Sequence, residues 1–200
     1  MQTKITLDTT LEHKWKTMPQ CIRVLDFNDE AAHDFIDQVN WAIESKQEFI
    51  IIDIDSFGGD VYSLHGMLAC LRSCKLPIIT YTSSKAMSCG AVLFTAGQRR
   101  IIAPTAYLML HQVSSGVIGD SSDLVANAEH IAELNAVLMG EIARNCGKDK
   151  TFYSKLVTKG GNADLFVNAE KALKLGLATE IGTAVFNINV KQTCTLDVFN

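Results

Sequence analysis

Ser88, His111 and Asp164 are the three residues whose types and positions could do chemistry together. A serine hydroxyl is a poor nucleophile until a base takes its proton, and an imidazole base needs a third group to hold its tautomer. Ser88 stands in S-K-A-M-S-C-G-A-V-L-F, residues 84–94, where small residues crowd a sharp turn from strand to helix. His111 follows the apolar run A-Y-L-M-L, and Asp164 lies in the loop G-N-A-D-L-F. Acyl transfer also requires backbone N–H donors aimed at the developing oxyanion. The amide of Cys89, next after Ser88, is placed for that, and Gly59 in S-F-G-G-D lets a backbone approach a ligand closely.

Each residue also has a plain structural reading. A serine among small neighbours is often a packing choice, with Gly90 and Ala91 letting a helix lie close to a sheet. A histidine after an apolar strand is often half-buried core, and an aspartate before Leu-Phe is often a turn former. Ser88 is not in G-x-S-x-G, so the common nucleophile elbow is absent. The functional reading rests on joint placement, because open α/β sheets gather functional groups at the C-terminal ends of their strands.

The elements that must position these residues are legible in the hydrophobic pattern. I-R-V-L at 22–25 reads as a strand, and Asn28 as the cap of a helix over 29–45 with Ala32, Phe35, Ile36, Val39 and Ile43 on its apolar face. F-I-I-I-D-I-D at 49–55 is a strand of the kind buried on both faces. A helix follows S-F-G-G-D. A strand at 77–82, the Ser88 corner, a helix to about Ala96, and strands at 100–103 and 106–110 come next. Residues 111–120 form a Gly- and Ser-rich loop. Ser121 or Ser122 opens a long amphipathic helix that Gly147 stops. A helix at 149–157, a loop through Asp164, a helix at 168–175 and a strand at 177–181 complete the pattern. Alternating strands and helices predict an α/β fold with a mostly parallel sheet.

Composition narrows the function classes. Two hundred residues suffice for one sizeable core, and 48% hydrophobic with 20% charged residues is a globular balance. The net charge of −4 argues against a nucleic-acid binder, and Arg99-Arg100 is too short to be a basic stripe. The six cysteines are scattered and complete no zinc pattern, so they read as free thiols of a reducing compartment. No signal peptide or membrane-spanning run is evident, and the expectation is a cytoplasmic protein acting on neither nucleic acid nor membrane.

Four blocks in order resemble the ClpP family, the proteolytic subunits of the ATP-dependent Clp protease. D-I-D-S-F-G-G-D-V is similar to its I-N-S-P-G-G block. A-M-S-C-G-A-V-L-F-T-A-G is similar to A-S-M-G-A-x-L-L-x-A-G. R-I-I-A-P-T-A-Y-L-M-L-H-Q and A-D-L-F-V-N-A-E-K-A-L-K-L-G-L-A match the two blocks that follow. The resemblance covers residues 22–182, the peptidase domain, leaving 1–21 as an N-terminal arm and 183–200 as a C-terminal tail. It implies a crotonase-like β/α core with a protruding handle helix at about 121–146. It also implies Ser88 as nucleophile, His111 as general base, Asp164 as its orienter, and the amides of Gly59 and Cys89 as oxyanion hole. Val113, Ser114, Ser115 and Gly116 would bind peptide backbone by strand addition. The resemblance further implies a homo-oligomeric ring, a heptamer or stacked heptamers, fed with unfolded protein by an AAA+ unfoldase, and no metal or organic cofactor.

The chain departs from the family pattern where Phe57 replaces the proline before Gly-Gly, Cys89 the methionine after the nucleophile, and Ala163 the arginine before the acid. Other readings on the same fold are a capsid-maturation peptidase, a serine–lysine peptidase using Lys85, an acyl-CoA enzyme, and a non-catalytic ring subunit or adaptor. The last three leave one or more of Ser88, His111 and Asp164 unexplained.

Overall fold

The structure is a computed structural model and describes residues 3–6, 20–159, 164–183 and 195–198. Most of the expected N-terminal arm and C-terminal tail, and Ala163, therefore lie outside the described residues. Two short pieces of those ends pair with each other: β1 (Thr3–Thr6) runs antiparallel to β10 (Thr195–Val198).

The main sheet contains β2 (Gln20–Val24), β3 (Ile50–Ile54), β4 (Ile78–Thr82), β6 (Arg99–Ile102) and β9 (Glu180–Ile181), in the order β2-β3-β4-β6-β9. Every pairing in it is parallel. Ile50, Ile51, Ile52 and Ile54 are all buried, as a near-continuous apolar strand covered on both faces should be. Six helices occur among the described residues. Helix α1 (Asp29–Glu44) starts where Asn28 accepts a hydrogen bond from the Ala31 amide at 2.9 Å. Its buried stripe is Ala32, Phe35, Val39 and Ala42, so Ala42 faces the core and Ile43, expected there, is exposed. From Phe35 and Val39 the helical repeat advances to 42 rather than 43.

The sequence reading missed a second, three-stranded sheet. It comprises β5 (Lys85–Met87), β7 (Tyr107–Leu110) and β8 (Leu165–Asn168), with β5 parallel and β8 antiparallel to β7. The strand expected at 106–110 is β7, whereas the three residues of β5 and the four of β8 are too few to show a periodicity of their own, so pairing decides them. A parallel bridge between Ser56 and Ala86 ties the end of β3 to this sheet, and another joins Phe27 to Gly59.

Helices α2 (Val61–Ser73), α3 (Cys89–Thr95) and α4 (Ser121–Asn145) pack beside the junction of the two sheets. Asp120, rather than a serine, caps α4, accepting from the amides of Ser122 and Asp123. Residues 121–126 are exposed, while Leu134, Leu138, Met139, Ile142 and Ala143 are buried. Half of the helix thus belongs to the core and half projects. Gly147 stops it at φ +63°. Helices α5 (Phe152–Lys159) and α6 (Ala169–Leu175) close the chain around Tyr153, whose hydroxyl donates to the Leu175 carbonyl. Arg99 pairs with Glu180 through two hydrogen bonds, and Arg100 donates to the carbonyls of Gly97, Gly176 and Leu177. Both arginines are therefore spent on structure.

Candidate active site

Ser88 sits between β5 and α3 with φ +54° and ψ −120°. A non-glycine residue in that region is strained, and such strain gathers where a side chain must be aimed. Two contacts hold the turn. The Ser88 amide donates to the Met109 carbonyl on β7 at 2.9 Å, and the Ser88 carbonyl accepts from the amides of Ala91 and Val92 in α3. The expected reason for small residues here was close packing behind the serine. A Cβ on Gly90, however, would meet Ile54 and Ser56 no nearer than 3.5 Å, an ordinary contact. The glycine required lies on the other side. Gly58 has φ +105°, and a Cβ there would lie 2.6 Å from the Ser88 Cβ.

His111 follows β7. The parallel register sets Met87 opposite Met109, so the chain beyond β5 and the chain beyond β7 emerge side by side. The Ser88 Oγ and His111 Nε2 are 2.7 Å apart. With Oγ donating, Nε2 accepts and Nδ1 carries the proton, leaving one donor for a further acceptor. The antiparallel ladder sets Leu110 opposite Leu165, which brings Asp164 out beside His111. The Asp164 side chain is exposed and makes no hydrogen bond to the imidazole. Of the three residues singled out in the sequence, two are thus in contact and the third is their neighbour along the ladder.

The Gly58–Gly59 turn lies against Ser88 and Cys89. A Cβ on Gly58 would come within 3.2 Å of the Cys89 amide nitrogen, and one on Gly59, at φ +156°, within 2.4 Å of the Phe27 carbonyl oxygen. The Cys89 thiol donates to the Gly59 carbonyl at 3.3 Å, fixing that peptide unit. Burial pushes this thiol above its ordinary pKa, and the hydrogen bond only partly opposes it, so Cys89 is a neutral donor. Among the residues expected to bind peptide backbone, Ser114, Ser115 and Gly116 are exposed. The Val113 amide is already engaged by Asn135 Oδ1 at 2.7 Å.

A cavity of about 290 Å³ opens at Ser88 and His111. Phe57, Gly59, Val113 and Ser114 line it together with apolar side chains: Val61 of α2, Val92 of α3, and Leu138, Met139 and Ile142 of α4. A serine–imidazole pair over an apolar pocket, with a glycine turn alongside, is equipped for acyl transfer on a ligand with an apolar side chain.

The family model described as Clp protease matches residues 21–185. The chain belongs to the Clp protease family. It is 29% identical over 140 residues to the ATP-dependent Clp protease proteolytic subunit of Deinococcus radiodurans, covering 69% of this chain and 67% of the relative. It is 25% identical over 177 residues to the ATP-dependent Clp protease proteolytic subunit 2 of Treponema denticola, covering 87% of this chain and 86% of the relative. The chain is a Clp-type protease, and its mostly parallel sheet flanked by helices fits that family's fold. None of its described helices is long and apolar enough to cross a membrane.

Two features of this member of the Clp protease family were not legible beforehand. The buried half of α4 contributes Leu138, Met139 and Ile142 to the lining of the pocket. Lys85, weighed as a possible base, is turned away to Asp55, with Nζ 2.6 Å from Oδ1, and covers the ring of Phe57 at 4.6 Å from its centroid. The proline-to-phenylalanine departure at 57 was the one sequence signal for that cluster.

Proposed function

We propose that the chain is a serine endopeptidase that hydrolyses peptide bonds of unfolded proteins through Ser88, His111 and Asp164. The single observation that carries this reading is the 2.7 Å contact of Ser88 Oγ with His111 Nε2 on a strained strand-to-helix turn. Ser88 Oγ attacks the scissile carbonyl carbon while His111 takes its proton. The oxygen that gains charge faces the N–H groups of Gly59 and Cys89. His111 then returns the proton to the leaving amine as the C–N bond breaks, leaving an acyl-serine. Water, deprotonated by His111, cleaves that ester and regenerates the hydroxyl. Asp164 accepts from Nδ1–H and stabilises the imidazolium, a role its place in the ladder supports once its side chain turns inward.

The names of the relatives and the projecting half of α4, with exposed Leu124 and Val125, support work as a ring-forming proteolytic subunit. In that setting the complex is cytoplasmic, an AAA+ unfoldase consumes ATP and delivers the substrate, and this chain supplies only hydrolysis. The test is cleavage of a fluorogenic peptide by the full chain beside Ser88→Ala, together with labelling by a fluorophosphonate. Loss of both signals in the variant, at an unchanged melting temperature, is the expected result. Undiminished cleavage by Ser88→Ala would end the reading.

A further inference from the structure

Phe57 is an exposed aromatic residue, 73% accessible, at the rim of the cavity that holds Ser88 and His111. A lone exposed aromatic needs no explanation, but this one is held in place. Lys85 Nζ lies 4.6 Å from the ring centroid, within cation–π range. That ammonium is itself held by Asp55 Oδ1 at 2.6 Å, and both side chains are largely covered, with 22% and 31% accessibility. The backbone on either side is equally restrained. Ser56 is buried and exchanges hydrogen bonds with the β5 backbone, its amide donating to the Lys85 carbonyl and its carbonyl accepting from the Met87 amide. The Gly58 amide donates to Ser56 Oγ at 3.1 Å.

One face of the ring is therefore taken by a cation, while the ring stays 73% accessible and lines the cleft. Because Asp55 neutralises Lys85, the rim presents an apolar surface rather than a positive charge. A ring ordered before the ligand arrives costs no further entropy on binding. We infer that Phe57 is a specificity-determining residue. Its ring receives an aromatic or large aliphatic side chain of the peptide next to the scissile bond, and Lys85 and Asp55 are positioning residues that hold it. This deepens the peptidase reading above and rests on it.

The test uses the full chain and quenched fluorescent peptides that differ at one residue, taken in turn on each side of the scissile bond: phenylalanine, leucine, alanine or glutamate. The unmodified protein should favour phenylalanine and leucine on one side. Phe57→Ala should reduce that selectivity roughly tenfold, the scale of a lost apolar contact in a pocket, and through KM more than kcat. Lys85→Met and Asp55→Asn should reduce it less, and Lys85→Arg should restore it. A residue with only a structural role would lower kcat/KM for all peptides alike. Unchanged selectivity in both Phe57→Ala and Phe57→Leu, with melting temperatures unaltered, would overturn the inference. So would a preference for glutamate in the unmodified protein. If the unmodified protein cleaves none of the peptides, the peptidase reading fails by itself. Fluorescence anisotropy of the same peptides then decides the inference. Tighter binding of the phenylalanine peptide that Phe57→Ala abolishes would sustain it, and no difference between peptides would refute it.

Discussion

Gly58→Ala is the perturbation whose outcome follows most directly from the geometry. The added Cβ would stand 2.6 Å from the Ser88 Cβ, 3.0 Å from the Met87 carbonyl oxygen and 3.2 Å from the Cys89 amide nitrogen. Two of these three neighbours are backbone and the third is the first atom of a side chain, so none can swing away. The backbone at φ +105° adds its own penalty, about 1–3 kcal/mol for a residue with a side chain. Overpacking of a rigid site adds about 1–3 kcal/mol more. The expected loss is therefore about 2–6 kcal/mol, and at about 2–4 °C per kcal/mol the melting temperature should fall by roughly 4–24 °C. The relief available is displacement of Ser88 from His111, and a shift near 1 Å costs on the order of 100-fold in rate. Differential scanning fluorimetry and fluorophosphonate labelling, run on the same samples below the variant's transition, read the two effects separately. A Gly58→Ala protein that melts with the parent and labels at the parent rate would refute the close approach of this turn to Ser88.

Gly66 provides the contrast, since it lies inside α2 and an added Cβ meets nothing within 4 Å. Gly66→Ala should stabilise the chain by about 1 kcal/mol, seen as a higher melting temperature, and a lower one would contradict the open space at that position. Asp164→Asn should lower kcat/KM on the order of 100-fold or more while leaving the melting temperature alone, because the side chain is exposed; unchanged kinetics would remove Asp164 from the machinery. Glu141 is buried between Arg72, at 2.6 Å, and Arg144. Burial alone would raise its carboxyl, but the hydrogen bonds and charges of the two arginines outweigh it and hold the group below its ordinary pKa. A carboxylate lowered on folding contributes stability above its unfolded pKa and loses it as pH falls through the folded value. The urea midpoint should therefore drop below about pH 5, and Glu141→Gln should lower the neutral-pH midpoint and flatten that drop. A variant that keeps the parent's acid slope would rule Glu141 out as its source.

Much of this molecule was legible from local pattern. The apolar run at 50–54 could only be a strand covered on both faces, Asn28 could cap α1, and Gly147 could stop α4, because each choice depends on residues within one or two turns of chain. Ser88, His111 and Asp164 stood out for a related reason: reactive residue types at strand ends are visible without knowing the strands' partners. Their relation to one another was not visible. Strands β5 and β8 are too short to declare themselves, and it is their pairing with β7 that sets Ser88 against His111 and draws Asp164 alongside. The need for Gly58, the thiol that pins the Gly59 peptide, and the Asp55–Lys85–Phe57 stack are likewise contacts between segments about 30 residues apart. Residue type and short-range spacing determined which groups could react. Only the tertiary structure decided which of them meet, because distances across a sheet depend on register and packing that no local window contains.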